Sequence, residues 1–211
     1  MQTINRKDGI TYNRKPQQGK ESIPSKTQYQ ETLTRLITEK LFDVVLVVRL
    51  GAECGMSRIE IVNAEVNNID KNHKRSLWIE KAKLVRRGGS KNKPIYKMRS
   101  REIPINPNLY QFLMQYIDKD SKFILSKKEK IDEAYKVLHI NELYEKGNVP
   151  WSPHRSRHYY RTRLKDWMRR NRQMDDEVVD ALMGHRPRGV RESYGIIDWD
   201  YKQELVDKVF E

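Results

Sequence analysis

Residues 151–160, Trp-Ser-Pro-His-Arg-Ser-Arg-His-Tyr-Tyr, decide how the rest of the chain is interpreted. His154 and Arg157 stand three residues apart, and this spacing puts both side chains on one face of a helix. Ser152 or Pro153 can open that helix, since serine caps helix N-termini and proline is tolerated in the first turn. The stretch therefore predicts a helix that presents a histidine and an arginine side by side.

A second motif follows a polar break at 171–176. The mainly apolar run 178–183 predicts a buried helix, closed by Gly184 because glycine readily adopts the left-handed conformation that ends helices. His185 comes next, and Tyr194 stands nine residues further on. Arginine forks bind phosphate oxygens, histidine transfers protons near neutral pH, and an activated tyrosine hydroxyl is a covalent nucleophile. Together these groups indicate attack on a phosphodiester through a tyrosyl-phosphate intermediate.

The order His-x-x-Arg-His, then Leu-Met-Gly-His, then a tyrosine resembles the pattern of the tyrosine recombinases, or phage integrase family. Each motif is short, but their joint order and spacing are specific. The resemblance implies the C-terminal catalytic domain of that family, an α+β, mainly helical fold with a small antiparallel β-hairpin at one edge. It implies that Tyr194 attacks DNA to form a 3′-phosphotyrosine while Arg157 binds the phosphate. It further implies that His154 assists proton movement and that His185 hydrogen-bonds the phosphate or positions the tyrosine.

A first catalytic arginine is expected in the segment that begins at Gly55, Gly-Met-Ser-Arg-Ile-Glu-Ile. This segment resembles the family's first arginine motif, and Arg58 is the candidate. In the usual motif the acidic residue stands three after the arginine. Here Glu60 stands two after Arg58, and Ser57 occupies the usual place. Arg49 is the alternative.

A β-hairpin is predicted before the middle of the chain. Residues 76–85 alternate between apolar and polar, a basic loop follows, and 95–105 form a returning strand. The pair resembles the family's hairpin, whose turn holds a catalytic lysine shortly before Arg-x-x-Pro. Lys97 is the candidate, with Lys91 and Lys93 as alternatives. A lysine there is expected to protonate the departing 5′-oxygen, since its pKa falls readily near other cations.

The remaining helices are predicted from apolar spacing and capping residues, with approximate bounds 25–37, 41–50, 58–66, 109–117, 131–143 and 200–210. Residues 1–25 are polar and basic and predict a flexible arm or linker. Residues 26–211 are assigned to the catalytic domain, and the helical DNA-clamping domain that usually precedes it is expected to be absent. The apolar stripe of the last helix packs either into a neighbouring subunit of a DNA-bound homo-tetramer, as the resemblance implies, or on its own domain.

Composition agrees with a nucleic-acid partner. The 211 residues include 42 lysines and arginines against 29 acidic residues, a formal net charge of +13. This balance favours a nucleic-acid partner, and basic surfaces also bind RNA, heparin or membranes. The resemblance implies that the partner is double-stranded DNA. The single cysteine, Cys54, excludes an internal disulfide and a Cys-rich zinc site, and it fits a reducing compartment. It is expected to be a small buried hydrophobic residue.

Several absences narrow the expected function further. The sequence has no secretory signal and no membrane-spanning run. It also has no Walker loop and no clustered carboxylates, so neither a nucleotide nor a metal cofactor is expected. The resemblance further implies a cytoplasmic, nucleoid-associated location in the host cell of a mobile element.

Two alternative functions stay open. A type IB-like DNA topoisomerase uses the same side chains but relaxes supercoils as a monomer. A non-catalytic DNA-binding protein with a decayed site is the other alternative, and the displaced Arg58 motif is its support.

Overall fold

The computed structural model describes most of the chain, namely residues 23–89, 94–125, 134, 151–185 and 197–211, without the side chains of 81–99 and 153. Several predictions lie outside these residues. They are the arm up to residue 22, the helix at 131–143 apart from buried Ala134, and Tyr194.

Three helices form the N-terminal part: α1 (Lys26–Thr38), α2 (Phe42–Glu53) and α3 (Arg58–Val62). A 3₁₀ turn at Val66–Asn68 follows. At the start of α1 the Ser25 hydroxyl accepts a hydrogen bond from the Gln28 N–H, and the Gln28 side chain accepts one from the Ser25 N–H.

The second helix is longer than predicted, and the neighbouring helices α1 and α3 bury fewer of their apolar side chains than predicted. The prediction that this helix ends at about residue 50 is wrong, because α2 continues to Glu53. Its last turn is buried beneath other helices, which offsets the low helix propensity of glycine. Ile37 on α1 and Ile59 on α3 are apolar residues within the predicted helices, yet they are 46% and 45% exposed. Their helices bury a narrower face than the spacing predicted.

The predicted hairpin is confirmed as two antiparallel strands, β1 (Ser76–Gly89) and β2 (Pro94–Pro104). Residues 86–94 were predicted as a loop, but pairing continues through Arg86 with Tyr96 and ends at Gly89 with Pro94. Strand pairing satisfies backbone N–H and C=O groups that a loop would leave to solvent.

The C-terminal part contains α4 (Pro107–Tyr116), α5 (Pro153–Arg170), α6 (Asp176–Leu182) and α7 (Trp199–Phe210). Each begins after a side chain that accepts hydrogen bonds from the first turn: Asn106, Ser152, Asp175 and Asp198. The prediction that α6 is buried and closed by Gly184 is confirmed, since that glycine has φ +64°. The mainly helical α+β class with a small hairpin is therefore confirmed.

The last helix packs on its own chain. Leu205, Val206 and Val209 are buried in one apolar cluster with α5 and α6. The Phe210 ring stacks on Tyr160, with centroids 5.3 Å apart. This is the own-domain alternative of the two that the sequence left open. Within the described residues, no helix is long and apolar enough to span a membrane.

Candidate active site

The helix predicted from the opening stretch starts where the sequence indicated. The Ser152 hydroxyl accepts a hydrogen bond from the Arg155 N–H at 3.2 Å, and proline occupies the first turn. This cap fixes the direction of α5 and hence of His154 and Arg157. His154 is exposed, whereas Arg157 reaches inward and its side chain is only 17% exposed.

His154 lies against a second histidine one turn later. The two Nε2 atoms of His154 and His158 are 2.8 Å apart, and the rings meet edge to face. At that distance one nitrogen donates and the other accepts, so the pair is not doubly protonated. Burial lowers the pKa of His158, and the positive charges of His154 and nearby arginines lower it further. His158 therefore favours the neutral form, which can share a hydrogen bond with His154.

The Arg157 guanidinium joins three segments that are distant in the sequence. One Nη1 hydrogen bond goes to the Gly55 carbonyl oxygen at 2.6 Å, and another goes to Glu60 at 3.1 Å. Nη2 donates to the carbonyl oxygen of Met183. The arginine thus holds the turn before α3, α3 itself and the end of α6 around one positive charge.

Glu60 is the anion of this cluster. Its side chain is 4% exposed and accepts from the Ser57 N–H at 2.6 Å, as well as from Arg157. Burial disfavours its ionised form, but the arginine charges and the Ser57 N–H outweigh burial, so the pKa of Glu60 lies below its ordinary value. Glu60 is therefore a buried carboxylate at neutral pH.

Arg101 is a second arginine in the cluster, and no sequence motif had indicated it as a site residue. It donates Nε–H to Glu60 at 2.6 Å, Nη1–H to the Leu182 carbonyl oxygen at 2.5 Å and Nη2–H to Gly55 at 3.2 Å. The residue pattern of β2 could have indicated that Arg101 faces the core. Arg101 precedes the buried Ile103 by two positions, and residues two apart on a strand face the same side.

The turn before α3 requires glycine. Gly55 has φ +60°, and a Cβ there would lie 2.4 Å from the Tyr160 ring. Its carbonyl oxygen accepts from both Arg157 and Arg101. The backbone itself is therefore part of the site.

His185 follows the end of α6, where Gly184 sends the chain out of the helix. Its backbone N–H donates to the Asp180 carbonyl oxygen at 2.8 Å. Its Nδ1 lies 3.3 Å from the Asp180 carboxylate. A neutral imidazole that donates Nδ1–H to a carboxylate keeps its acceptor lone pair on Nε2. The Asp180 contact thus favours the tautomer that can accept or relay a proton at Nε2.

The other predicted residues stand outside this cluster or outside the described side chains. Arg58 is exposed at the first position of α3. The alternative Arg49 pairs with Glu53 at 2.8 Å, in a separate network. The backbone of Lys97 pairs with Val85 in the hairpin, and its side chain, like Lys91, Lys93 and Tyr194, is not among the described atoms. The buried Cys54 is confirmed as a free thiol.

The site is built from charged side chains of the described part of the chain. No group of three or more histidine, cysteine, aspartate or glutamate side chains is placed there to hold an ion. The charges that meet at the site are instead two guanidinium groups and one carboxylate. Such a set suits a phosphate oxyanion.

Comparison with solved structures finds the same fold in integrases and recombinases of known structure. The integrase of transposon Tn1549, in complex with transposon right-end DNA, is 17% identical with a TM-score of 0.58, covering 96% of this chain and 69% of that one. The integrase of mycobacterium phage Brujita is 16% identical with a TM-score of 0.58, covering 94% and 61%. XerA recombinase is 14% identical with a TM-score of 0.53, covering 90% and 65%. At these identities the likeness establishes the fold alone.

Sequence comparison gives the family. A search of curated protein sequences finds no significant match. The family model described as "Phage integrase family" matches residues 25–194, which is most of the chain. That match runs from the helix cap at Ser25 to Tyr194 and includes every residue predicted above to act in catalysis. The chain therefore belongs to the phage integrase family and is a tyrosine-type site-specific recombinase.

Proposed function

We propose that the chain cuts and rejoins double-stranded DNA through a 3′-phosphotyrosine at Tyr194. The phenol oxygen attacks phosphorus, a P–O bond to the tyrosine forms, and the bond to the 5′-oxygen breaks. A 5′-hydroxyl of another strand reverses the step, because the covalent linkage retains the bond energy. The observation that carries the proposal is the Arg157 guanidinium, which ties the turn before α3 to the backbone two residues before His185.

We assign binding of the scissile phosphate to cations and hydrogen-bond donors of the site. In this assignment Arg157 and Arg58 bind the non-bridging oxygens and stabilise the charge of the pentavalent transition state. Support for Arg157 is its partly buried, hydrogen-bonded position next to a second guanidinium. Arg58 begins α3, one residue beyond the Ser57 N–H that binds Glu60, so its backbone adjoins the cluster. His185 hydrogen-bonds the phosphate or positions the phenol.

Proton transfer is assigned to His154 and Lys97. His154 assists removal of the phenolic proton of Tyr194, and its contact with His158 offers a second site for that proton. Lys97 gives a proton to the departing 5′-oxygen, which is a poor leaving group as an alkoxide. The lysine belongs to the hairpin strand that pairs with β1, so the hairpin would deliver it to the DNA.

Binding to double-stranded DNA is supported by charge. The net charge is +13, and α5 alone carries seven lysines and arginines against one aspartate. Such a surface neutralises phosphates without reading sequence. The Tn1549 integrase that shares this fold was solved in complex with transposon right-end DNA. We assign residues 26–211 to the DNA-cleaving domain, acting on the nucleoid in the host cell of a mobile element.

A nicked duplex that traps the covalent intermediate tests the proposal. Wild type should form a protein–DNA adduct that survives denaturation, and Tyr194→Phe should form none, because it lacks the nucleophilic oxygen. Tyr201→Phe is the matched control, since Tyr201 is an exposed tyrosine on α7, and it should react like wild type. Exchange of strands between two specific sites would identify recombination, whereas relaxation of supercoils without exchange would favour a topoisomerase. An adduct that persists in Tyr194→Phe, or wild type that binds DNA but forms no adduct, would contradict the mechanism.

We further propose a homo-tetramer on DNA, assembled through the C-terminal helix. Within one chain the apolar face of α7 is already buried, and Asp207 pairs with Arg75 through two hydrogen bonds of 2.7 and 2.8 Å. Exchange of α7 between copies would keep these same contacts while linking subunits. Sedimentation with a DNA junction should show four chains, and Asp207→Arg should reduce the assembled fraction. A wild-type complex that stays monomeric on every DNA would refute this assembly.

A further inference from the structure

We propose that Arg101 is a positioning residue of the cleavage reaction, which holds Arg157 and the backbone before His185 in place without itself binding the phosphate. This inference rests on the proposed function. It is carried by the hydrogen bonds of Arg101 to Glu60, to the turn before α3 and to the end of α6.

Arg101 has few donors left for a substrate. A guanidinium has five N–H groups. Those of Arg101 make four contacts among the described residues: two to Glu60, one to Leu182 and one to Gly55. Its side chain is also only 9% exposed. Most of its hydrogen-bonding capacity is therefore used inside the protein.

Arg157 is the guanidinium with capacity to spare. Its described contacts use two Nη1 donors and one Nη2 donor, and they involve no Nε contact. Its side chain is 17% exposed, nearly twice the fraction of Arg101. With Glu60 ionised, the two arginines and one carboxylate carry a net charge of +1. Arg157 is the member placed to offer that charge to an anion.

Removal of Arg101 would alter Arg157 through Glu60. The carboxylate now accepts from both arginines, with Oε2 bound to Arg101 Nη2 and Arg157 Nη1, each at 3.1 Å. Without Arg101, Glu60 would pair with Arg157 alone, and the excess positive charge of the cluster would vanish. The Arg157 charge would then be largely neutralised before DNA arrives, since a nearby opposite charge in a buried site interacts strongly.

Arg101 also sets the backbone that leads to His185. It binds the Leu182 carbonyl oxygen, and its Cδ lies 2.7 Å from the position of a Cβ on Gly184. Only a glycine permits this approach at φ +64°. Because His185 is the next residue, the arginine and the glycine together fix where that imidazole begins.

The test compares Arg101→Gln with wild type on two nicked duplexes in single-turnover cleavage. One has an ordinary scissile phosphate. The other has a methylphosphonate there, which removes the negative charge. On the ordinary phosphate the variant should cleave roughly tenfold to hundredfold more slowly, the size expected for a displaced catalytic group. DNA affinity should change little, since it depends on many phosphates. On the methylphosphonate the deficit should shrink several-fold, because the charge that Arg157 neutralises is gone.

Two further variants keep the test decisive. Arg75→Gln removes another arginine–carboxylate pair, one that contacts neither Glu60 nor Arg157, and any deficit it causes should be equal on both substrates. Arg101→Lys retains the charge but cannot hold three partners in one plane. Its cleavage rate should lie between those of wild type and Arg101→Gln. If Arg101→Gln does not fold, Arg101→Lys is compared with wild type on the two substrates in its place. Equal deficits of the Arg101 variants on both substrates, or wild-type rates, would overturn this inference alone. A wild type that forms no adduct would overturn the proposed function and this inference with it.

Discussion

Replacing Glu60 with glutamine is expected to destabilise the folded chain by roughly 3–5 kcal/mol, the usual cost of removing one partner from a buried ion pair. Glutamine has nearly the same shape as glutamate, so the loss of stability measures the contribution of the negative charge. Two guanidinium groups, on Arg101 and Arg157, would then face each other with no carboxylate between them. Burial lowers the pKa of Arg157, and the positive charge of Arg101 lowers it further. Chemical denaturation at pH 7 gives the measurement.

A matched control and a pH series sharpen this result. Glu65→Gln removes a solvent-exposed pair with Lys122, 3.7 Å apart, and should cost less than about 1 kcal/mol. Folding lowers the pKa of Glu60, so its stabilisation is complete above the unfolded value, about 4.3, and is lost as pH falls through the lower folded value. The gap between wild type and Glu60→Gln should therefore narrow at acidic pH. A gap below 1 kcal/mol at pH 7 would contradict the charge assignment.

Replacing Gly55 with alanine is expected to cost roughly 2–5 kcal/mol. Part of the cost is backbone strain, because φ is +60° and alanine disfavours the left-handed region by about 1–2 kcal/mol. The rest is crowding, which in packed cores costs about 1–3 kcal/mol. The new Cβ would lie 2.4 Å from Cδ1 of Tyr160, whose ring is fully buried and stacked on Phe210. The ring therefore has little room to yield.

The same substitution should also slow DNA cleavage by more than tenfold at temperatures where the variant stays folded. The Gly55 carbonyl oxygen accepts hydrogen bonds from both arginines, so a shift of this turn displaces Arg157. Tyr160→Phe is the control. The Tyr160 hydroxyl has no hydrogen-bond partner among the described residues, so its loss should be nearly neutral. Thermal unfolding and single-turnover cleavage measure the two effects. Wild-type values in Gly55→Ala would show that the turn relaxes freely.

Local chemistry made much of the fold predictable from the sequence. Ser152 and the proline after it start α5, Gly184 ends α6, and alternation marks the hairpin, because capping, glycine conformation and strand periodicity act over a few residues. The spacing of short motifs likewise indicated the family that the sequence match assigns. Errors arose where burial overrode propensity, as in the last turn of α2.

Tertiary structure alone decided which charges meet. Glu60 contacts Arg101, 41 residues away, and Arg157, 97 residues away. The sequence motif indicated Arg58, two residues before Glu60, as the first catalytic arginine and gave no indication of Arg101. A contact between distant segments produces no periodic pattern and no fixed spacing in the sequence, because it depends on how α3, β2 and α5 pack together. The sequence by itself therefore determined the elements, the family and the candidate groups, whereas packing determined which guanidinium groups share the buried carboxylate.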